Sequence, residues 1–90
     1  MTTAIQEALL CPFLFEEDFH VAVVLRRGRT CHLLTTLRGL QAAIATSPDG
    51  VALCSRTYNL PCRVLDGQEG AFLARKTILA EHEGHGAYRI

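Results

Sequence analysis

The chain lacks several sequence features that would indicate a particular class of function. Its 90 residues include no tryptophan, one methionine and three prolines, and nine basic residues balance nine acidic ones. A neutral chain lacks the overall positive field of a strong nucleic-acid binder. No apolar run approaches the roughly 20 residues of a transmembrane helix. Residues 1–15 carry no lysine or arginine ahead of their apolar stretch, so a signal peptide is not indicated and we expect a cytoplasmic protein.

The composition is typical of one small folded domain. Hydrophobic residues make up 49% of the chain and charged residues 20%, and the length predicts a single domain spanning residues 1–90. Because no export signal is indicated, we expect free thiols rather than two disulfides among the cysteines, although the even count leaves disulfides open. The four are Cys11, Cys31, Cys54 and Cys62.

Two β-rich segments flank a turn of arginines. Residues 20–25 and 30–34 are rich in residues that favour strands, and residues 26–29 (Arg-Arg-Gly-Arg) separate them. This pattern predicts a β-hairpin. Residues 87–90 predict a short closing strand beside it.

Three helices are predicted between the hairpin and the closing strand. Thr35 or Thr36 can cap the first, which ends near residue 46, and Ser47 with Pro48 is a strong start signal for the second. The second helix's apolar stripe continues from residue 51 to residue 65, so we expect either a kink at Pro61 or an end near Asn59. Gly67 is expected to close this stretch. The third helix is expected from residue 68 to residue 83.

We therefore predict an α+β domain. A small β-hairpin and the C-terminal strand form a short sheet, which about three helices cover on one face. Residues 1–10 show no clear period and residues 16–18 are an acidic break, so residues 1–17 are predicted to form an irregular N-terminal segment.

From residue 18 onward, the order of these pieces resembles a family of small, uncharacterised alphaproteobacterial proteins, domain of unknown function 982. The resemblance implies a small bacterial α+β domain and implies no activity, cofactor or catalytic residue. This chain departs from the family pattern at Pro61, Ile78 and Glu81. The shared pieces after the early strand and the threonine-led helix are Ser47-Pro48 with Gly50, Cys62 with Leu65 and Gly67, Ala74-Arg75, a glycine near residue 84 and the terminal strand.

Few residues suggest chemistry. Arg75 is expected on the apolar side of the last helix, where it either contacts an anion or partner or, as we favour, pairs with Asp66, Glu69 or the tail carboxylate. The arginine turn can bind phosphate, although a solvated turn is favoured. A metal site at His82 and His85 is disfavoured, because their spacing matches no recognised site. Packing is favoured over nucleophilic chemistry for the cysteines.

The sequence favours a non-catalytic interaction or regulatory module. The alternative is a weak nucleic-acid or phosphate binder that uses residues 26–29, and an enzyme assembled at a dimer interface is a distant third. We assign no catalytic, cofactor-binding or metal residue. A second copy of the chain, bound through residues 88–90, is one expected partner, and an unknown protein is another. Binding of nucleic acid stays open, and binding to a membrane is not expected. The candidate interaction residues are Arg26, Arg27, Arg29, Arg75 and Tyr88.

Overall fold

The computed structural model describes residues 5–90, and one of the three interior strands of its sheet is a strand that the sequence pattern did not predict. Strand β1 is Gln6–Phe15, and residues 8–11 within it are all buried. A strand covered on both faces has no polar alternation to reveal it. The predicted irregular segment is therefore wrong for residues 6–15, and residues 1–4 lie outside the described part.

Five strands form one open mixed sheet. The others are β2 (Asp18–Arg27), β3 (Thr30–Arg38), β4 (Cys62–Val64) and β5 (Tyr88–Arg89), and the order across the sheet is β4-β1-β2-β3-β5. Strand β4 runs parallel to β1, and the other neighbours are antiparallel. The predicted hairpin is confirmed as β2 and β3, and the closing strand is confirmed as β5 on the outer side of β3.

Pro12 is tolerated in β1 because of where β4 ends. The amide of Ala8 donates to the carbonyl of Pro61, and the carbonyl of Leu10 accepts from Leu65, so even-numbered residues of β1 direct their polar backbone groups toward β4. The last β4 residue, Val64, pairs with Leu10. The missing N–H of Pro12 therefore points past the end of β4, where no ladder hydrogen bond is required.

The helices are α1 (Gly39–Ala45), α2 (Pro48–Tyr58) and α3 (Gly67–His82). The start signal of α2 is confirmed, because the Ser47 hydroxyl accepts from the Gly50 amide at 3.2 Å and Pro48 is the first helical residue. Of the two predicted outcomes at Pro61, the end near Asn59 is confirmed, since Asn59 adopts the left-handed conformation with φ of 54°. None of the helices in residues 5–90 is long and apolar enough to cross a bilayer.

Three helix-boundary predictions are wrong. Thr35 and Thr36 belong to β3, and α1 follows Arg38 without a side-chain cap. Residues 62–65 match the helical stripe of α2 only by coincidence of spacing, because Cys62–Val64 form a strand against β1. Gly67 opens α3 instead of closing a helix, and the Asp66 carboxylate caps α3 by accepting from the Gly67 amide at 2.8 Å.

The α+β class is confirmed, but helices cover both faces of the sheet. Leu9 and Cys11 of β1 pack toward Leu73 and Ala74 of α3. Leu10 and the odd-numbered residues of β2 pack on the opposite face toward Ala42 of α1. The predicted one-sided arrangement is wrong because the central strands are apolar on both faces.

Two glycines allow helices to approach neighbouring backbone closely. A β-carbon on Gly50 would lie 2.0 Å from the carbonyl oxygen of Ile44, and one on Gly70 would lie 1.8 Å from that of Leu65. No larger residue fits either position without a backbone shift. Gly50 thereby sets the α1–α2 contact, and Gly70 holds the start of α3 against the segment after β4.

Candidate functional site

A groove of about 940 Å³ runs along one flank of α3, above the end of the sheet that α3 leaves uncovered. Strands β4, β1, β2 and β5 contribute its floor and ends, and α3 contributes its wall. Its size falls within the range of ligand pockets, and its lining combines apolar side chains with several cations. The charged residues of the lining are Arg26, Arg63, Arg75, Lys76 and Glu69.

A carboxylate holds two of these cations at the floor. Glu7 accepts from the Arg63 Nε at 2.8 Å and lies 3.7 Å from the Arg26 Nη1. The hydrogen bond from Arg63 to Glu7 raises the pKa of the Arg63 guanidinium further above its usual range, so the group keeps its charge. Arg26 lies opposite Glu7, and Arg63 lies opposite Leu9 two residues further along β1, so all three charges lie on the same face of the sheet.

The other two cations lie on the wall without such a partner. Among the described residues, no carboxylate forms an ion pair with Arg75 or Lys76. The Lys76 ammonium lies 5.4 Å from the centre of the Phe72 ring, within reach of a cation–π interaction. Four cations therefore stand against two side-chain carboxylates, Glu69 in the lining and Glu7 beside it, so cationic side chains are in excess at the groove.

Apolar side chains lie between the cations. Phe72 is 53% exposed although it is a large aromatic residue, and its ring meets Tyr88 edge to face at 6.3 Å. Leu79 is 49% exposed and lines the same groove. An exposed apolar surface between charges is typical of an interaction site.

The apolar side predicted for the last helix is only partly the buried side, and this changes the place of Arg75. The buried residues are small: Gly70, Ala74, Thr77 and Ala80 lie inward with Leu73. Thr77 is satisfied there, because its hydroxyl donates to the carbonyls of Leu73 and Ala74. Small residues let α3 lie close to the sheet, while the larger Phe72 and Leu79 line the groove, and Arg75 lines it beside them, exposed to solvent.

The arginines of the 26–29 turn are largely engaged within the chain. The Arg26 Nε donates to the Gly28 carbonyl at 2.8 Å, and the Arg29 Nε donates to the Ile90 carbonyl at 3.0 Å. Arg27 is exposed and does not line the groove. The structure thus brings Arg26, Arg75 and Tyr88 together in the groove and leaves Arg27 outside it. Arg29 instead binds the C-terminal residue Ile90.

Sequence reasoning missed four residues of this site. Glu7 and Arg63 lie in strands that were not predicted, although Arg63 alternates with Cys62 and Val64 as a strand residue should. Phe72 and Lys76 lie beside Arg75 on the last helix and were not among the candidate residues. The alternation around Arg63 is the one signal that could have placed a cation on the sheet.

A second feature lies at the far end of the β1–β2 hairpin. This hairpin tip, residues 14–19, exposes Leu14 (65%) and Phe15 (58%) beside the acidic residues 16–18. Glu16 and Glu17 form the two-residue turn with φ of 50° and 68°. Behind the tip, the His20 ring stacks on Phe13 at 5.3 Å.

The histidines and cysteines form no metal cluster in the part of the chain that the structure describes. No three His, Cys, Asp or Glu side chains of residues 5–90 are grouped to hold a metal ion. His85 lies 3.5 Å from the Glu83 carboxylate, on the exposed segment after α3. Cys11 is fully buried, and burial raises the pKa of its thiol to about 12, with Cys31 as the next cause.

Comparisons with known proteins add no relative. No family model matches the chain, and neither the curated proteins nor the solved structures contain a match. The resemblance to domain of unknown function 982 therefore stays a prediction.

Proposed function

We propose that this protein is a non-catalytic interaction module whose basic groove binds the acidic hairpin tip of a second copy. The observation that carries this proposal is the groove's lining, which combines several cations with the exposed ring of Phe72 and the half-buried ring of Tyr88. Arg75 and Lys76 have no carboxylate partner among the described residues, so an incoming acid gains charge pairs without breaking existing ones.

The hairpin tip has the complementary chemistry. It places three carboxylates next to Leu14, Phe15 and Phe19, all of which are exposed. Burying an aromatic ring in an apolar groove supplies affinity, and charge pairs at the rim supply specificity and rate of encounter. Both surfaces belong to every copy, so two copies can bind each other reciprocally.

The turn at the tip supports the same proposal. A two-residue turn with both φ values positive favours Asn-Gly or similar residues, because glutamate in this region is strained. Strained residues cluster at functional positions. Glu16 and Glu17 hold charge at this turn at the cost of backbone energy.

The alternatives have weaker support. Phosphate or nucleic-acid binding through residues 26–29 requires free arginines, yet Arg26 and Arg29 are hydrogen-bonded within the chain. A homodimer through residues 88–90 stays a prediction. Its support is weaker because β5, the edge strand that would pair, has only two residues. We also propose a cytoplasmic location, which the four free thiols support.

A peptide of residues 13–19 provides a direct test. We expect the labelled peptide to bind the intact protein at low salt, with fluorescence anisotropy as the readout. The double variant Arg75→Ala/Lys76→Ala should weaken binding roughly 5- to 30-fold, because two charge pairs at a rim contribute about 1–2 kcal/mol together.

Two controls make the result specific. Arg56→Ala removes an exposed cation from α2, on the other side of the sheet, and should leave binding unchanged. A peptide with Gln, Gln and Asn in place of Glu16, Glu17 and Asp18 should bind weakly or not at all. If the acidic peptide does not bind at low salt, or binds the double variant equally well, the proposal is wrong.

A further inference from the structure

Two cysteines from different elements meet on the face of the sheet opposite the groove. Cys54 lies on α2 and Cys62 on β4, and their sulfur atoms are 2.9 Å apart. A disulfide needs sulfur atoms about 2.05 Å apart, so an approach of roughly 0.9 Å would join them. Both residues are free thiols and both are half-buried.

The two thiols are both half-buried but differ in their surroundings. Cys54 lines a second, smaller groove of about 390 Å³ between α2 and the sheet, together with Leu53 and Tyr58. Cys62 does not line this groove. Burial, followed by the hydrogen bond to Cys54, raises the pKa of the Cys62 thiol, and the position of Cys54 in the groove makes Cys54 the thiol that an oxidant meets first.

We propose that Cys54 and Cys62 are an oxidation site at which a peroxide converts the two thiols into an intramolecular disulfide. The Cys54 sulfur attacks one oxygen of hydrogen peroxide, the O–O bond breaks, and Cys54 becomes a sulfenic acid as one water leaves. The Cys62 sulfur then attacks the Cys54 sulfur, the S–S bond forms, and the hydroxyl leaves with the Cys62 proton as a second water. Two thiols and one peroxide thus give one disulfide and two waters.

The remaining cysteines serve as internal references. Cys11 and Cys31 are each 0% exposed and lie in the core on the α3 side of the sheet. Neither reaches solvent in the folded protein, so we expect both to stay reduced under conditions that oxidise Cys54 and Cys62. This site depends on neither the basic groove nor the hairpin tip.

Peptide mapping of the intact protein tests the site. The folded, reduced chain is treated with hydrogen peroxide, free thiols are blocked with an alkylating agent, and the product is digested with trypsin without reduction. Cleavage after Arg38, Arg56 and Arg63 places Cys54 and Cys62 in separate fragments, 39–56 and 57–63. We expect one cross-linked pair of these fragments, with the loss of two hydrogen atoms per chain and with Cys11 and Cys31 alkylated only after unfolding.

Single variants separate the two roles. Cys62→Ser should stop at a Cys54 sulfenic acid, which dimedone traps, while Cys54→Ser should leave Cys62 largely unreacted over the same time. Circular dichroism checks that each variant is folded. Independent oxidation of the two residues to sulfinic acids, a cross-link to Cys11 or Cys31, or full alkylation of both residues after peroxide treatment would contradict the proposal.

Discussion

At the scale of single residues, the least expected feature is the pair of glutamates at the hairpin tip. Glu16 and Glu17 both have positive φ, a conformation in which a β-carbon crowds the following carbonyl. Neither side chain forms an ion pair among the described residues. The positive φ values therefore destabilise the turn, and no ion pair of the two glutamates compensates. We infer that the two carboxylates serve an interaction and not the stability of the fold.

Relieving the turn should stabilise the protein. We expect Glu16→Asn/Glu17→Gly to raise the free energy of unfolding by roughly 1–2 kcal/mol, since both replacements suit left-handed positions. The midpoint of thermal unfolding should then rise by about 4–8 °C per kcal/mol. The control Glu16→Gln/Glu17→Gln removes the charges but keeps the strain, so an equal rise in this control would attribute the effect to charge.

At the scale of elements, α3 shows how size rather than polarity decides which face is buried. Its inward face consists mainly of Gly70, Ala74, Thr77 and Ala80, which allow a close approach to the sheet. A pattern that weighs only apolar character selects Phe72 and Leu79 instead, and both of these face the groove. The helix thus packs one face against the core and lines the groove with another.

Paired alanine substitutions test this orientation of α3. Leu73 is 6% exposed, so Leu73→Ala should lower the free energy of unfolding by about 2–5 kcal/mol. Phe72→Ala, its neighbour, should cost less than about 1 kcal/mol, because its ring is already half in water. Denaturant unfolding of both variants measures the difference, and a larger loss from Phe72→Ala would show that the assigned face is wrong.

The elements also show which parts of the fold could be predicted from sequence. Local signals sufficed for the β2–β3 hairpin and for the start of α2 at Ser47. Strand β1 could not be recognised because both of its faces are buried, which removes the alternation. Strand β4 depends on pairing with distant β1, and the alternation over its three residues is too short to distinguish it from a continuation of α2. The groove needs both strands, and for that reason only part of its lining was foreseen.

At the scale of the whole molecule, two complementary surfaces lie on one neutral chain. The positive charge of the basic groove and the negative charge of the acidic tip cancel in the net charge of the chain. The balance of nine basic and nine acidic residues therefore indicated neither surface. A chain without net charge also repels its own copies weakly. Self-association through tip and groove is the arrangement that these properties favour.

The alternative dimer forms by β-strand pairing at the sheet edge, along β5. One substitution distinguishes this dimer from the tip-and-groove dimer. The Ile90 amide donates to the Arg29 carbonyl, so residue 90 faces β3 and the amide of Arg89 points outward from the edge. Arg89→Pro removes that outward donor and blocks edge pairing while the bonds to β3 remain. We expect this variant to associate as the unchanged chain does.

The most direct test of the tip-and-groove claim is light scattering of a charge-reversed pair. One variant carries Glu16→Lys, Glu17→Lys and Asp18→Lys at the tip, and the other carries Arg75→Glu and Lys76→Glu in the groove. The unchanged chain should associate at high micromolar concentration, each variant alone should stay monomeric, and an equal mixture of the two should associate again, because each tip then meets a groove of opposite charge. A monomeric unchanged chain, or a mixture that stays monomeric while the unchanged chain associates, would contradict the claim.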